Sequence, residues 1–210
     1  MIRHYACIDF ETSGLNPRVD RIIEVGLLVV RDGVAKPTES RLVRFDGGEL
    51  PDRITEITGL KAADLVDGMS TEEALTWLLD TVAGLPLVGH NILNFDLAFL
   101  IEEARRTKVS LTTLADPAVY DTAALYLAHV MKSHPYAEEP LAAFQRRVFT
   151  RRTKGLRYNL TEACEMMGLT VDRAGMHRAA ADVRHTMRLF EALQVARVLE
   201  PVEGWQVAAL

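Results

Sequence analysis

Apolar and polar positions along the chain change period several times. Tyr5-Ala6-Cys7-Ile8 is an unbroken apolar run that stops at Asp9, and the stretch 21–31 carries Ile22, Ile23, Val25, Leu27, Leu28, Val29 and Val30. Continuous β-branched runs of this kind are the pattern of strands buried on both faces. Asp32-Gly33 predicts a hairpin turn, and Arg41-Leu42-Val43-Arg44-Phe45 a third, edge-like strand, which together make an antiparallel meander. From Pro51 the pattern lengthens. A short helix and loop are expected to Leu65, then a helix to Val82 that opens on Ser70 with Glu73 three residues on, the capping-box spacing. A short buried strand at 84–89, a helix at 94–106, a strand at 118–120 and a helix at 122–131 follow. Strand–helix alternation predicts parallel additions to the meander. The expected architecture is an α/β fold on a five-stranded mixed sheet flanked by helices. Residues 132–158 look irregular, with Pro135 and Pro140. Helices at about 159–167 and 178–199 close the chain, with Val183, Met187, Phe190 and Leu193 at helical spacing and Pro201 as the stop. With no repeat or linker, one domain over 1–210 is expected, carrying a basic insertion at about 132–158 and a short tail at 201–210.

Composition narrows the class only a little. The 210 residues are 49% hydrophobic and 25% charged, globular averages that exclude global disorder. A net charge of −5 gives no overall basic signature, so any contact with nucleic acid must be local. Cys7 and Cys164 lack disulfide or metal spacing, which points to a reducing compartment. No early stretch has the shape of a signal peptide and no apolar run approaches a membrane span, so a cytoplasmic protein without a membrane partner is expected.

The chemistry begins where the first strand ends. Asp9 and Glu11 are two residues apart, so in a strand they project together. Two carboxylates that close raise each other's pKa unless a cation sits between them, and a hard divalent ion bound through oxygens is the simplest remedy. Asp96 supplies a third acid in the first turn of a helix, where an acid is also favourable for electrostatic reasons alone. His177 and Asp182 supply an imidazole and a fourth acid. In a continuous helix those two side chains would lie roughly 140° apart, so they share a site only if His177 sits in the loop ahead of the helix, as Gly175 permits. Ala179, Ala180 and Ala181 would let that helix lie close to the sheet. Each acid alone has a plain reading as a surface charge, and it is their joint placement that points to a site. Phosphate-cradling glycine loops, nucleophile elbows and zinc spacings are missing from the sequence. Arg146, Arg147, Arg151, Arg152, Lys154 and Arg157 form a run without an acid among them, a candidate phosphate contact with a solvated loop as the plain alternative.

Taken together, Asp9-Phe10-Glu11-Thr12-Ser13-Gly14, the stretch from His90-Asn91 to Phe95-Asp96, and His177 with Asp182 resemble the three motifs of the DEDDh 3′–5′ exonuclease family, over roughly residues 4–195. That resemblance implies an RNase H-like fold with strand order 3-2-1-4-5 and strand 2 antiparallel. It also implies two divalent ions per site, and Mg²⁺ or Mn²⁺ suits four carboxylates better than zinc does. By position it makes Asp9, Glu11, Asp96 and Asp182 the metal ligands and, with His177 as general base, the catalytic set. Phe10, Thr12, Gly14 and Asn91 would meet the terminal nucleotide.

The expected function is hydrolysis of phosphodiester bonds from nucleic-acid 3′ ends to release nucleoside monophosphates, with DNA favoured over RNA. An exoribonuclease or oligoribonuclease-like enzyme is the nearest alternative, and a catalytically silent nucleic-acid- or polymerase-binding module the more distant one. The expected partners are a 3′ end of DNA or RNA and, for a proofreading role, a polymerase; a homodimer is the other candidate assembly.

Overall fold

The computed structural model describes residues 1–114, 118–151, 155–172 and 177–200. Arg152, Lys154, Gly175 and the expected tail at 201–210 therefore lie outside the described residues. β1 (Tyr5–Thr12) is the centre of the sheet. β2 (Ile22–Arg31) runs antiparallel to it on one side, and β5 (Leu87–Gly89) parallel to it on the other, followed by parallel β6 (Val119–Asp121). β3 (Val34–Ala35) and β4 (Glu39–Leu42) both pair with β2, so the order is β3-β2-β1-β5-β6 with β4 beside β3. The expected order 3-2-1-4-5 is present with one correction. The third position is split into two short strands and begins earlier than 41–45. Pro37 lacks an N–H and interrupts the ladder, and beyond Val43, whose N–H still donates to the Ile23 carbonyl of β2 (2.9 Å), the chain turns away, with the Arg44 N–H donating to the Met69 carbonyl (2.8 Å).

Alternation along β1 and β2 divides the molecule into two layers. Ala6, Ile8 and Phe10, with Val25, Leu27 and Val29, face α2 (Thr71–Val82) and α3 (Asp96–Thr107). Tyr5 and Cys7, with Leu28 and Val30, face α4 (Thr122–Val130), α5 (Leu141–Arg151), α6 (Leu160–Met166) and α7 (Ala179–Val195). A short α1 (Asp52–Thr58) lies between the meander and α2. The capping box on α2 is formed as expected: Ser70 Oγ accepts from the Glu73 N–H, and a Glu73 carboxylate oxygen accepts from the Ser70 N–H.

The segment expected to be irregular carries α5. Its Phe144 and Val148 are buried one turn apart, and buried Gln145 accepts the Asp121 N–H (2.6 Å) and donates to the Val119 carbonyl (2.9 Å). Gln145 thus stands in for the strand that edge strand β6 lacks. A polar residue in that role leaves no hydrophobic signature in the sequence. No helix among the described residues is long and apolar enough to cross a membrane.

Candidate active site

Asp9 and Glu11 share the face of β1 occupied by Tyr5 and Cys7, at the strand end nearest the loops. The β1–β2 register pairs Asp9 with Gly26 and Glu11 with Glu24, then slips between Glu11 and Thr12. Such a bulge re-aims the last side chains of a strand. α7 crosses this face directly over Gly26. A Cβ added there would come within 2.5 Å of the Ala179 carbonyl oxygen, so only glycine admits the helix so closely. The approach delivers Asp182, one turn into α7, to the strand end. Carboxylate oxygens of Asp9, Glu11 and Asp182 lie within 4.8 Å of one another.

Asp96 comes from the opposite layer. It begins α3, which packs on the α2 face of the sheet, and reaches round the end of β1, where its Oδ1 accepts the Phe10 N–H (3.1 Å). Asp96 therefore faces the same cavity but stands outside the close triad. The cavity measures about 500 Å³. Asp9, Glu11, Asp96, Asp182 and His177 line it, together with Phe10, Phe95, Leu160, His90, Asn91 and the segment Arg157-Tyr158-Asn159.

His177 does sit ahead of the helix, as sharing the site requires. Its φ of +63° is in the left-handed region, and its backbone N–H is hydrogen-bonded to the Asp182 carboxylate. The acids carry the marks of a crowded anionic site. Burial, then the charges of Asp96, Glu11 and Asp182, push Asp9 well above the ordinary carboxylate range. Glu11 is pushed up to about 8 by burial and then by Asp182 and Glu24, against the pull of Arg178. Burial raises Asp96 to about 7 in spite of the Phe10 N–H, and raises Asp182 to about 6 in spite of His185 and the His177 N–H. Asp182 Oδ1 is buried and has no hydrogen-bond partner among the described residues. A buried carboxylate oxygen with nothing to accept from, among two other carboxylates, fits a hard cation with an all-oxygen ligand set.

Three groups support the site without having been expected in it from the sequence. Glu24 is buried on β2 and pairs with Arg178 (3.0 Å). Asp121 is fully buried at the end of β6 and accepts from the N–H groups of Asn91 (3.0 Å), Leu93 (3.0 Å), Ala123 (3.0 Å) and Ala124 (3.2 Å). It thereby caps α4 and braces the loop that leads to Asp96. His90 joins Thr122 Oγ1 through Nδ1 (2.9 Å) and the Tyr158 carbonyl through Nε2 (2.7 Å), and burial lowers its pKa to about 4. Neutral His90 donates from Nε2 and pins the 157–159 segment, which lines the cavity. Because a buried acid in a strand looks like an outward-facing one, only the alternation of faces hints at Glu24.

The expected nucleotide contacts divide. Phe10, Asn91 and Arg157 line the cavity. Thr12 Oγ1 instead donates to the Gly14 carbonyl (2.6 Å), and Gly14 leaves room for the Asp20 carboxylate, so both shape the turn after β1. Arg146 is exposed on α5, and Arg151 donates to the Tyr136 hydroxyl (3.3 Å). Arg147 is committed to structure: it bonds Glu139 at 2.6 Å and lies 4.0 Å over the Tyr136 ring. The acid that the basic run lacks is supplied from just upstream.

A family model described as an exonuclease, RNase_T, matches residues 6–190. The chain belongs to the exonuclease family. The chain is 28% identical to the PolC-type DNA polymerase III of Mycoplasma pneumoniae over 187 residues, 89% of this chain and 11% of that one. The chain thus spans only about a tenth of that polymerase's length. It is 25% identical to the ribonuclease T of Photobacterium profundum, covering 94% of this chain and 84% of the relative. The chain also shares its fold with Escherichia coli exonuclease I, solved in complex with a dT13 oligonucleotide: TM-score 0.71, 17% identity, 94% of this chain and 42% of that chain.

Proposed function

We propose that this exonuclease removes nucleoside monophosphates one at a time from single-stranded DNA 3′ ends, with Mg²⁺ or Mn²⁺ held by Asp9, Glu11, Asp96 and Asp182. The observation that carries the reading is the convergence of three carboxylates within 4.8 Å beside His177, in a cavity of about 500 Å³. Bound divalent ions would supply an acidified water and neutralise charge gathering at phosphorus. The remaining work falls to the protein. His177, which lines the same cavity as the acids, is placed to take the proton of the attacking water at an imidazole nitrogen. Phe10, Phe95 and Leu160 offer apolar surface to a sugar and base, and Arg157 offers a cation to a phosphate. The size suits a terminal residue out of its stack, within the range of small-ligand cavities. A paired 3′ end would first have to fray.

Exonuclease I, which shares this fold, binds dT13 and dA16 oligonucleotides, which favours DNA. The ribonuclease T relative, matched over 84% of its length, supports RNA as a second reading. Matched DNA and RNA oligonucleotides, single-stranded and recessed, decide between them. DNA single strands should be digested fastest, and faster digestion of RNA would overturn the DNA assignment. The PolC-type relatives also suggest association with a polymerase, which copurification of the two would detect.

A further inference from the structure

We propose that the Glu24–Arg178 ion pair is a positioning latch that holds His177 against the acidic triad, an inference that rests on His177 being the proton acceptor. His177 is a non-glycine residue in the left-handed region, a conformation that persists only when its surroundings enforce it. Its N–H is tied to Asp182. The next residue, Arg178, is the N-cap of α7 but makes no side-chain cap bond of its own. Its guanidinium instead reaches back to β2, giving Nε–Oε2 3.0 Å and Nη2–Oε1 3.1 Å to Glu24, a two-pronged grip that fixes direction as well as distance.

Glu24 also accepts the Ala179 N–H (3.4 Å) and the Ser40 hydroxyl, so it caps α7 from across the sheet and is itself held in place. Its carboxylate is buried on the same face as Asp9, Glu11 and Asp182. A further anion there adds to the repulsion, and replacing a buried ion pair with apolar side chains is often neutral or stabilising. Stability gives little reason to keep Glu24, whereas registration of the His177–Arg178–Ala179 corner does.

Arg178→Ala tests the latch, because its side chain is about half exposed (47%) and its loss leaves no cavity. The readout is single-turnover hydrolysis of a labelled oligonucleotide with Mn²⁺, plus full titrations in oligonucleotide and in Mn²⁺. The rate should fall about 10- to 100-fold, the range for losing a group that orients a reacting one. KM and the half-saturating Mn²⁺ concentration should move less than about twofold, since the interaction lost acts only in the chemical step. Arg178→Lys should recover part of the rate, and Glu24→Gln should lose it as Arg178→Ala does. In a His177→Ala background, Arg178→Ala should cost nothing further. A wild-type rate for Arg178→Ala, an effect confined to KM, or losses that multiply in the double variant would overturn the latch. Full activity of His177→Ala alone would instead overturn the assignment of the base.

Discussion

Among the titratable side chains, Asp9 and Glu11 are legible from spacing alone, because period-2 alternation puts them on one face and any close pair of acids asks for a cation; Asp182 is legible only through its joint placement with the other acids. Asp96 is legible as a helix-opening acid, but not as one that arrives from the other layer and is tethered to Phe10. The basic run shows where residue type stops being informative. Arg147 and Arg157 are the same residue ten positions apart; one is locked to Glu139 between aromatic rings and the other borders the cavity. Their replacements should separate accordingly. Arg157→Ser should raise KM for oligonucleotide and flatten its salt dependence by about one ion, leaving the denaturation midpoint in place. Arg147→Ser should leave KM alone and lower stability by about 1–3 kcal/mol, because Glu139 loses its charged partner. Salt titrations and urea unfolding of both variants read the difference.

At the level of elements, α7 is the part on which the site depends, and Gly26 is what lets it approach. Gly26→Ala would push the first turn of α7 off the sheet and carry His177 and Asp182 with it. The expected cost is about 1–3 kcal/mol in urea unfolding, the usual range for overpacking. Activity should fall by more than the change in folded fraction explains; an active, undisturbed Gly26→Ala protein would show that the close approach is dispensable. The long strands and capped helices were legible because local pattern and tertiary role agree there. α5 was not, since its anchoring contact is made by a glutamine. The third strand was misplaced because Pro37 divides its pairing with β2, and a hydrophobic pattern does not record where a ladder breaks.

For the whole molecule, the cluster makes stability depend on pH and metal together. The folded-state pKa values of Glu11, Asp96 and Asp182 are raised to about 8, 7 and 6. Without metal, the stability they contribute is fully present below the ordinary carboxylate range near pH 4 and is lost as pH rises through 6 to 8. His90 acts in the other direction: its folded value of about 4 lies below the ordinary 6.5, so its contribution is present above pH 6.5 and is lost as pH falls toward 4. The metal-free protein should be most stable in weakly acidic solution. Because metal binding must displace protons from the raised carboxylates, the rise in melting temperature on adding Mn²⁺ should be larger at pH 8 than at pH 6. Scanning calorimetry in EDTA and in Mn²⁺ checks this, and an equal rise at both values would mean the acids are already ionised without metal.

The claim beneath all of this is that the converging carboxylates serve a metal-dependent cut at the 3′ terminus. A time course on a 5′-labelled single-stranded oligonucleotide, run with Mn²⁺ and with EDTA for the wild type and Asp9→Asn, tests it most directly. The expected result is a ladder shortening one nucleotide at a time in Mn²⁺, none in EDTA, and for Asp9→Asn a rate at least about a hundredfold lower. Internal cleavage, an undiminished ladder in EDTA, or wild-type shortening by Asp9→Asn would contradict it.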